Sequence, residues 1–294
     1  MINFQNLNRQ KLFCPPMYGE FITNGQGRSY SIGKTIGQGY FGCVYECTDE
    51  WGNELVAKII VPKNRTYEQV RQEWIEELNK LEYLRHPNIT YIYDAFEYQD
   101  TFYLIIERCY CTLKDLLVLP DDQRERLLPC IARDLLQGID FIHSCGYVHK
   151  DIHHGNVFVS LINNPMLPNQ DPVLKFKIGD LGISRLENDI NTFNTILANW
   201  MLPPEFLNPT IYGQIGRKVD IYHTGLLLLS LLVGYVTEFT QEEILNGTPR
   251  QMAEKIPSPY SYAIAKALRR HVAHRTETAL DFWREILEAS KSYE

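Results

Sequence analysis

The amino-acid sequence predicts an α+β protein in which a small antiparallel sheet lobe with one helix precedes a larger, mainly helical lobe. Two patterns support this fold class. Residues 30–60 alternate apolar and polar side chains in short runs rich in Val, Ile, Tyr and Gly, as twisted antiparallel strands do. After Thr112 the apolar residues recur mostly at helical spacing. With 294 residues and 45% hydrophobic content, the chain can bury a large core.

The remaining elements of the small lobe follow in order. Residues 66–85 place apolar side chains at helical spacing, which predicts one long helix. The sequence His86-Pro87-Asn88 ends it, because proline disfavours helix at the residue before it. Segments 89–95 and 101–107 predict two further strands.

Helical patterns dominate the second lobe. Thr240 and Glu243 form a capping-box pattern ahead of Ile244. Short strands are expected near residues 157–159 and 176–178, and the proline-containing segment 160–173 is expected to be an irregular loop. The other helix candidates are residues 123–143, 218–236, 261–270 and 277–287.

Composition excludes several classes of function. A net charge of −7 opposes broad nucleic-acid binding. The seven cysteines contain no CxxC pair and no secretory signal is present, so we expect free thiols in a reducing, cytoplasmic location. The longest apolar run, residues 226–233, is too short to span a membrane, and we expect no myristoylation because Ile2 stands where that modification requires a glycine. Cys109 and Cys111 lack a second pair that would complete a metal site.

A glycine-rich pattern lies between two predicted strands. Its backbone could fold closely over phosphates and direct N–H groups at them. A dinucleotide-binding fold would need a helix after the glycines, whereas Val44 and Tyr45 continue a strand. A glycine-rich hairpin that binds nothing remains an alternative. The pattern is Gly37-Gln38-Gly39-Tyr40-Phe41-Gly42-Cys43-Val44.

The next strand carries one lysine in an apolar run. Period-two alternation puts Val56 and Lys58 on the same face, so Lys58 could reach phosphates while Val56 lines a base pocket. Glu77, on the face of the following helix that meets the sheet, could pair with Lys58. The alternatives are a surface lysine and an acidic, solvated helix face that includes Glu73 and Glu76.

A loop and a turn supply acidic and amide groups. In residues 147–157, Asp151 could accept or orient the proton of an attacking hydroxyl, and Asn156 could offer an oxygen to Mg²⁺. Asp180, flanked by glycines after a predicted strand, could be a second Mg²⁺ ligand. Three histidines in the loop suggest zinc instead, but no thiolate or clear fourth ligand lies nearby.

Taken in order, these motifs resemble the signature set of protein kinases, over residues 30–287. Glu77 precedes His86-Pro87-Asn88-Ile89 at the family's spacing, and Pro203-Pro204-Glu205 is similar to its Ala-Pro-Glu motif. The segment from Asp220 to Gly225 is similar to the start of its central helix. Arg275 stands where the family's arginine pairs with that glutamate, so the resemblance implies a Glu205–Arg275 salt bridge.

The resemblance implies a two-lobed protein-kinase fold that binds ATP and Mg²⁺ between the lobes. Lys58 would contact the α and β phosphates, Glu77 would brace it, and Asp151 would be the catalytic aspartate. Asn156 and Asp180 would hold magnesium. Four residues would form a spine: Leu81, Ile92, His149 and Leu181. Nucleotide-binding residues would be Gly37, Gln38, Gly39, Tyr40, Phe41, Gly42, Val44, Val56, Lys58, Ile106 at the back of the pocket, Glu107 and Cys109 in the hinge, and Phe158.

The implied activity is transfer of the γ-phosphoryl group of Mg-ATP to a hydroxyl of a protein substrate, with serine or threonine favoured over tyrosine. No nucleic-acid or membrane partner is expected, and the oligomeric state is not predicted. The expected boundaries are an N-terminal extension at 1–29, a kinase domain at 30–288, divided into lobes at 30–107 and 108–288, and a tail at 289–294.

Several positions depart from the family pattern. His153 replaces a lysine near the γ-phosphate, and Ala198 replaces a threonine that contacts the catalytic aspartate. Both favour a pseudokinase scaffold as an alternative. The sequence His153-His154-Gly155-Asn156 also resembles aminoglycoside and choline kinases, which makes a small-molecule kinase another alternative. Leu181 replaces a phenylalanine, and Lys150 replaces an arginine, so anchoring of phosphorylated Thr192 or Thr195 would be weaker.

Overall fold

The structure is a computed structural model, and it describes residues 13–38, 42–162, 172–182, 184–190 and 202–291. The described chain divides into two compact units. The smaller unit contains the described residues up to Arg85 together with Thr90–Arg108, and the larger contains His86–Ile89 and the described residues from Cys109 onward. A sheet-rich unit and a mainly helical unit are the two parts that the sequence predicts.

A six-stranded antiparallel sheet forms the small unit, with strand order β1-β2-β3-β4-β6-β5. Alternate side chains such as Ile32, Ala57 and Ile105 are buried in one core against it. This period-two burial is the pattern from which the strands were predicted. The strands are β1 (Phe21–Thr23), β2 (Ser29–Gln38), β3 (Gly42–Asp49), β4 (Glu54–Ile60), β5 (Ile92–Tyr98) and β6 (Thr101–Glu107).

The single helix of the small unit, α1 (Tyr67–Tyr83), begins with a capping box formed by Thr66 and Gln69. This box satisfies two backbone N–H groups that the first turn would otherwise leave unpaired. Val70 and Leu81 are buried, and the indole of Trp74 donates to the carbonyl of Tyr103 on β6 at 3.0 Å. These contacts fix the helix face that carries Glu77 against the sheet.

Two features of the small unit differ from or extend the sequence interpretation. The strand expected at residues 89–95 lies three residues later, because Ile89 belongs to the larger unit, where it forms a parallel bridge with Ile178. The chain before β2 packs on the sheet: Phe13 contacts its core, and Cys14 exchanges hydrogen bonds with Thr101 at 3.1 and 2.9 Å. The described part of the N-terminal segment is therefore built into this unit.

Helices dominate the larger unit. The longest, α2, contacts α5 and α9, and α5 is buried on nearly every side and ends at Gly234 in a left-handed conformation. The helices are α2 (Asp121–Ser144), α3 (Pro204–Leu207), α4 (Pro209–Tyr212), α5 (Lys218–Val233), α6 (Gln241–Asn246), α7 (Thr248–Lys255), α8 (Ser261–Ala267) and α9 (Ala279–Lys291). The capping box of Thr240 and Glu243 is confirmed at the start of α6.

Short strands position the candidate loops of the larger unit. They are β7 (Cys111–Thr112), β8 (Tyr147–Val148), β9 (Val157–Ile162), β10 (Val173–Ile178) and β11 (Arg185–Leu186). β9 and β10 form an antiparallel ladder that runs from the pair Val157 and Ile178 to the pair Ile162 and Val173. The expectation of an irregular loop over all of residues 160–173 was therefore wrong at both ends, because the two strands satisfy each other's backbone groups.

The described ranges share three further features. No helix there is both long and apolar enough to cross a membrane. No disulfide joins the cysteines, all of which lie in described segments. No group of three or more His, Cys, Asp or Glu side chains in these ranges has an arrangement that could hold a metal ion.

Candidate active site

One face of the small sheet gathers four of the residues expected to bind nucleotide. Val44 on β3 pairs directly with Lys58 on β4, and Val56 on β4 pairs with Ile106 on β6. Directly paired residues of antiparallel strands point to the same face. All four are partly buried, whereas Ala57 between them is fully buried on the opposite face. The face therefore presents an apolar surface beside one ammonium group.

The ion pair expected between Lys58 and Glu77 is confirmed. Nζ of Lys58 donates to Oε1 of Glu77 at 2.6 Å, and the two side chains are 12% and 7% exposed. The pair joins the middle of β4 to α1. Because Glu77 is nearly buried, it has little access to water and depends on this partner. The solvated acidic face proposed as the alternative does not apply to Glu77, although it fits the exposed part of Glu73.

The structure describes only the two ends of the glycine-rich segment. Gly37 and Gln38 complete β2, Gly42 starts β3, and Gly39, Tyr40 and Phe41 lie outside the described residues. A Cβ at Gly42 would lie only 2.2 Å from the carbonyl oxygen of Ile59. Any larger residue would separate β3 from β4. Gly42 thus has a structural reason to be glycine, independent of a ligand.

Glu107, at the end of β6, is engaged with Tyr91 twice. Its backbone N–H donates to the Tyr91 carbonyl at 2.9 Å, and its carboxylate accepts the Tyr91 N–H at 3.1 Å. Cys109 and Phe158 belong to the larger unit, where both are partly buried and Phe158 pairs with Thr112. These residues keep their expected roles as predictions.

The loop that carries Asp151 is anchored to the start of α5. Both carboxylate oxygens of fully buried Asp220 accept backbone N–H groups, from His149 at 2.8 Å and from Lys150 at 2.7 Å. Nε2 of His143, at the end of α2, lies 2.9 Å from the same carboxylate. Burial acts to raise the pKa of Asp220, but these hydrogen bonds and the nearby imidazoles lower it overall. Asp220 therefore stays ionised and holds the loop.

The side chain of His149 continues this chain of contacts. Its Nδ1 accepts the Asp151 N–H at 3.2 Å, and its Nε2 donates to the carbonyl of Gly179 at 3.1 Å. The imidazole thus connects the residue that would act as catalytic carboxylate to the residue before Asp180. The sequence suggested a packed core histidine here, and the ring is fully buried.

Asp151 presents its two carboxylate oxygens differently. Oδ2 accepts from Nδ2 of Asn156 at 2.9 Å. Oδ1 is buried and has no hydrogen-bond partner among the described residues. Burial acts to raise the pKa of Asp151, but His153, followed by His149 and His223, outweighs it and lowers the pKa. The carboxylate therefore remains ionised at neutral pH with one acceptor oxygen available.

Asn156 and Asp180 come together at one end of the β9–β10 ladder. The carbonyl of Asn156 accepts the Gly179 N–H at 2.9 Å, directly beyond the pair of Val157 and Ile178. Because Nδ2 of Asn156 is used by Asp151, its Oδ1 is the atom left to act as a ligand. Asp180 is exposed and adopts φ 56°. An amide oxygen and a carboxylate are the hard donors that Mg²⁺ takes, so the residues present fit this ion.

The salt bridge of Glu205 with Arg275 is confirmed as a fully buried, two-pronged pair, with N–O distances of 2.6 and 2.5 Å. Of the expected spine, Leu81 and Ile92 are buried in the small unit, and His149 and Leu181 are buried in the large unit. Their alignment stays a prediction. Thr192, Thr195 and Ala198 lie outside the described residues.

Sequence reasoning missed the roles of His143 and Asp220 in holding the loop. Asp220 was noted only as part of a motif at the start of α5, and His143 only as the end of a helix. One signal was available, since both are polar residues on helix faces that are otherwise apolar. A buried polar side chain needs a partner.

Comparison with known proteins adds an independent finding. The family model for the protein kinase domain matches residues 30–292. The chain is 31% identical over 238 residues to calcium-dependent protein kinase 24 of Arabidopsis thaliana, which covers 78% of this chain and 38% of that protein. It is 28% identical to calcium-dependent protein kinase 8 of the same plant, over 77% of this chain and 44% of the relative.

A mouse relative, serine/threonine-protein kinase PLK2 of Mus musculus, is 26% identical over 71% of this chain and 29% of its own length. The chain thus matches less than half of the length of each of these three proteins. The family match nevertheless extends over both units and every confirmed motif. The two-lobed α+β fold is that of protein kinases, and this chain belongs to the protein kinase domain family.

Proposed function

We propose that this chain is a Mg-ATP-dependent protein kinase that phosphorylates a serine or threonine hydroxyl of a protein substrate. The observation that carries this proposal is the state of Asp151. Its carboxylate has a lowered pKa, one oxygen held by Asn156 and the other buried without a hydrogen bond among the described residues. A hydroxyl proton is a suitable partner for that second oxygen.

The groups of the chain have distinct tasks in this reaction. The Lys58 ammonium, held extended by Glu77, would bind phosphate oxygens through charge and hydrogen bonding. Asn156 and Asp180 would hold Mg²⁺, which when bound neutralises charge on the phosphates. Asp151 would orient the acceptor hydroxyl and take its proton as the hydroxyl oxygen bonds to the γ-phosphorus and ADP leaves. Such transfer depends mainly on positioning and charge stabilisation.

Serine or threonine as the acceptor is supported by the similarity to the mouse relative, which is named a serine/threonine-protein kinase. The proposal therefore separates into two parts, the reaction and the acceptor. The first depends on Asp151 and the second on the acceptor that the assay identifies.

Mass spectrometry after incubation with Mg-ATP tests both parts. The purified chain would be incubated with a mixture of unmodified polypeptides and, separately, with aminoglycosides and choline. We expect phosphoserine or phosphothreonine in the polypeptides, and Asp151→Asn should lower its rate of formation by about 10²- to 10⁴-fold. Turnover of the small molecules alone would refute a protein acceptor. Equal phosphate with wild type and Asp151→Asn would refute the reaction and favour a scaffold.

A further inference from the structure

The imidazole of His153 accepts a hydrogen bond from the backbone of the loop that contains Asp151. Its Nδ1 accepts the backbone N–H of Gly155 at 3.0 Å. A neutral imidazole that accepts at Nδ1 carries its proton on Nε2. That Nε2 lies 3.7 Å from Oδ1 of Asp151. The ring therefore presents an N–H group on the side of the carboxylate oxygen that has no other hydrogen bond among the described residues.

The distance of 3.7 Å is too long for a hydrogen bond, which for N–H···O falls at about 2.7–3.2 Å. Hydrogen bonds of catalytic groups are often long before substrate binds and tighten in the reacting complex. The Asp151 and His153 side chains are 19% and 24% exposed, so solvent screens this contact only in part. A buried carboxylate oxygen is less stable without a hydrogen-bond donor, and this favours closure of the gap.

Gly155 is what makes this ring position available. A Cβ at residue 155 would lie 2.9 Å from Cε1 and 3.1 Å from Nδ1 of His153. Real Cβ atoms essentially never approach another heavy atom to 2.9 Å, so a side chain at 155 would displace the imidazole. The same residue thus supplies both the N–H group that fixes the tautomer and the space that the ring occupies.

We propose that His153 is a positioning residue, whose Nε2–H holds the Oδ1 side of the Asp151 carboxylate while Asn156 holds Oδ2. Oδ1 has two lone pairs, so it can accept from His153 and still receive the proton of an acceptor hydroxyl. The carboxylate is then oriented from both sides. The catalytic consequence of this inference rests on the proposed kinase function, but the tautomer and the contact do not.

Substitutions of His153 test the positioning role through kinetics. Glutamine places an amide N–H₂ near the position of Nε2, whereas asparagine reaches only the position of Nδ1. We expect His153→Asn to lower kcat by about 10- to 100-fold, the range usual for groups that orient a functional side chain, with little change in the KM for ATP. His153→Gln should recover most of that loss. Equal activity of the two variants, or wild-type kcat in His153→Asn, would overturn the proposal.

Gly155→Ala gives a second perturbation, which retains the Asp151 and His153 side chains but displaces the imidazole. It should lower kcat as His153→Asn does, and the double variant should be little worse than either single variant, because both remove the same contact. Additive losses would contradict a shared mechanism. His274→Gln, which changes an exposed histidine of the larger unit, is the control and should retain wild-type rates.

A readout that is independent of activity is the ¹H–¹⁵N NMR spectrum of the histidine side chains in the whole chain. The neutral form of His153 should appear as the Nε2–H tautomer, and its Nε2 resonance should shift in Asp151→Asn. An Nδ1–H tautomer, or a resonance unaffected by Asp151→Asn, would overturn the inference. If wild type and Asp151→Asn transfer equally little phosphate, the proposed function fails, and the spectrum still decides the role of His153.

Discussion

Removal of Glu205 should destabilise the larger unit strongly, because it leaves the Arg275 guanidinium buried without its counter-charge. Both side chains are 0% exposed. Arg275 cannot reach water without unfolding its surroundings, since its Nε also donates to the Arg269 carbonyl at 2.7 Å and its guanidinium lies 4.7 Å from the ring centre of Tyr222. The charge therefore stays in place after its partner is removed.

The magnitude follows from the geometry. Breaking a buried ion pair by deleting one partner costs about 3–5 kcal/mol, so we expect Glu205→Ala to lower the free energy of unfolding by that amount. Arg275→Met should cost more. Arg275 also donates to the carbonyls of Lys218, Arg269 and Arg270. Each carbonyl that is left without its donor lowers the free energy of unfolding by about 1 kcal/mol.

The double variant Glu205→Ala with Arg275→Met separates charge from packing. It removes both charges and leaves the three carbonyls without their donor. The decrease in its free energy of unfolding should therefore be smaller than the sum of the two single decreases, by at least about 1 kcal/mol. Urea denaturation followed by tryptophan fluorescence measures each free energy of unfolding. Because the chain has two units, far-UV circular dichroism should be followed in parallel.

A matched control is the exposed pair of Arg250 and Glu254 on α7, with an N–O distance of 2.8 Å and side chains 47% and 45% exposed. Glu254→Ala should change stability by less than about 0.5 kcal/mol, because water screens the pair. The reasoning is refuted if Glu205→Ala costs less than about 1 kcal/mol, or if the double variant equals the sum of the single variants.

Three further predictions concern other parts of the chain. Burial, with His153 and Lys114 contributing, lowers the pKa of His154 to about 4. The unfolded chain then binds more protons between about pH 4 and 6.5, so stability should rise with pH in that window, and urea denaturation of His154→Gln should show a shallower rise. Gly42→Ala should lower stability by about 1–3 kcal/mol in thermal unfolding, since its Cβ would meet the Ile59 carbonyl at 2.2 Å, whereas Gly25→Ala, with open space, should not. Lys58→Met should slow phosphoryl transfer by about 10²- to 10³-fold in the same mass-spectrometric assay while the far-UV spectrum is retained; an unchanged rate would exclude Lys58 from phosphate binding.

The sequence by itself determined the order and type of most elements. Period-two alternation and helical spacing are local properties, so β4, β6 and α1 could be predicted closely. The pairing of Lys58 with Glu77 also followed, because the face of a strand and the face of a helix are both readable from spacing. Motif order then pointed to the protein kinase family, and the family match agrees.

Contacts between residues far apart in the chain were decided only by the tertiary structure. The local sequence around Ser160 is typical of a loop. Ser160 nevertheless belongs to β9, because it pairs with Lys175 of β10. The partnership of His143 with Asp220 joins residues 77 positions apart. Spacing along the chain can state which face a side chain occupies, but it cannot state which distant group satisfies its hydrogen bonds. Those partners, which orient Asp151, are set by how the packed elements bring separate segments together.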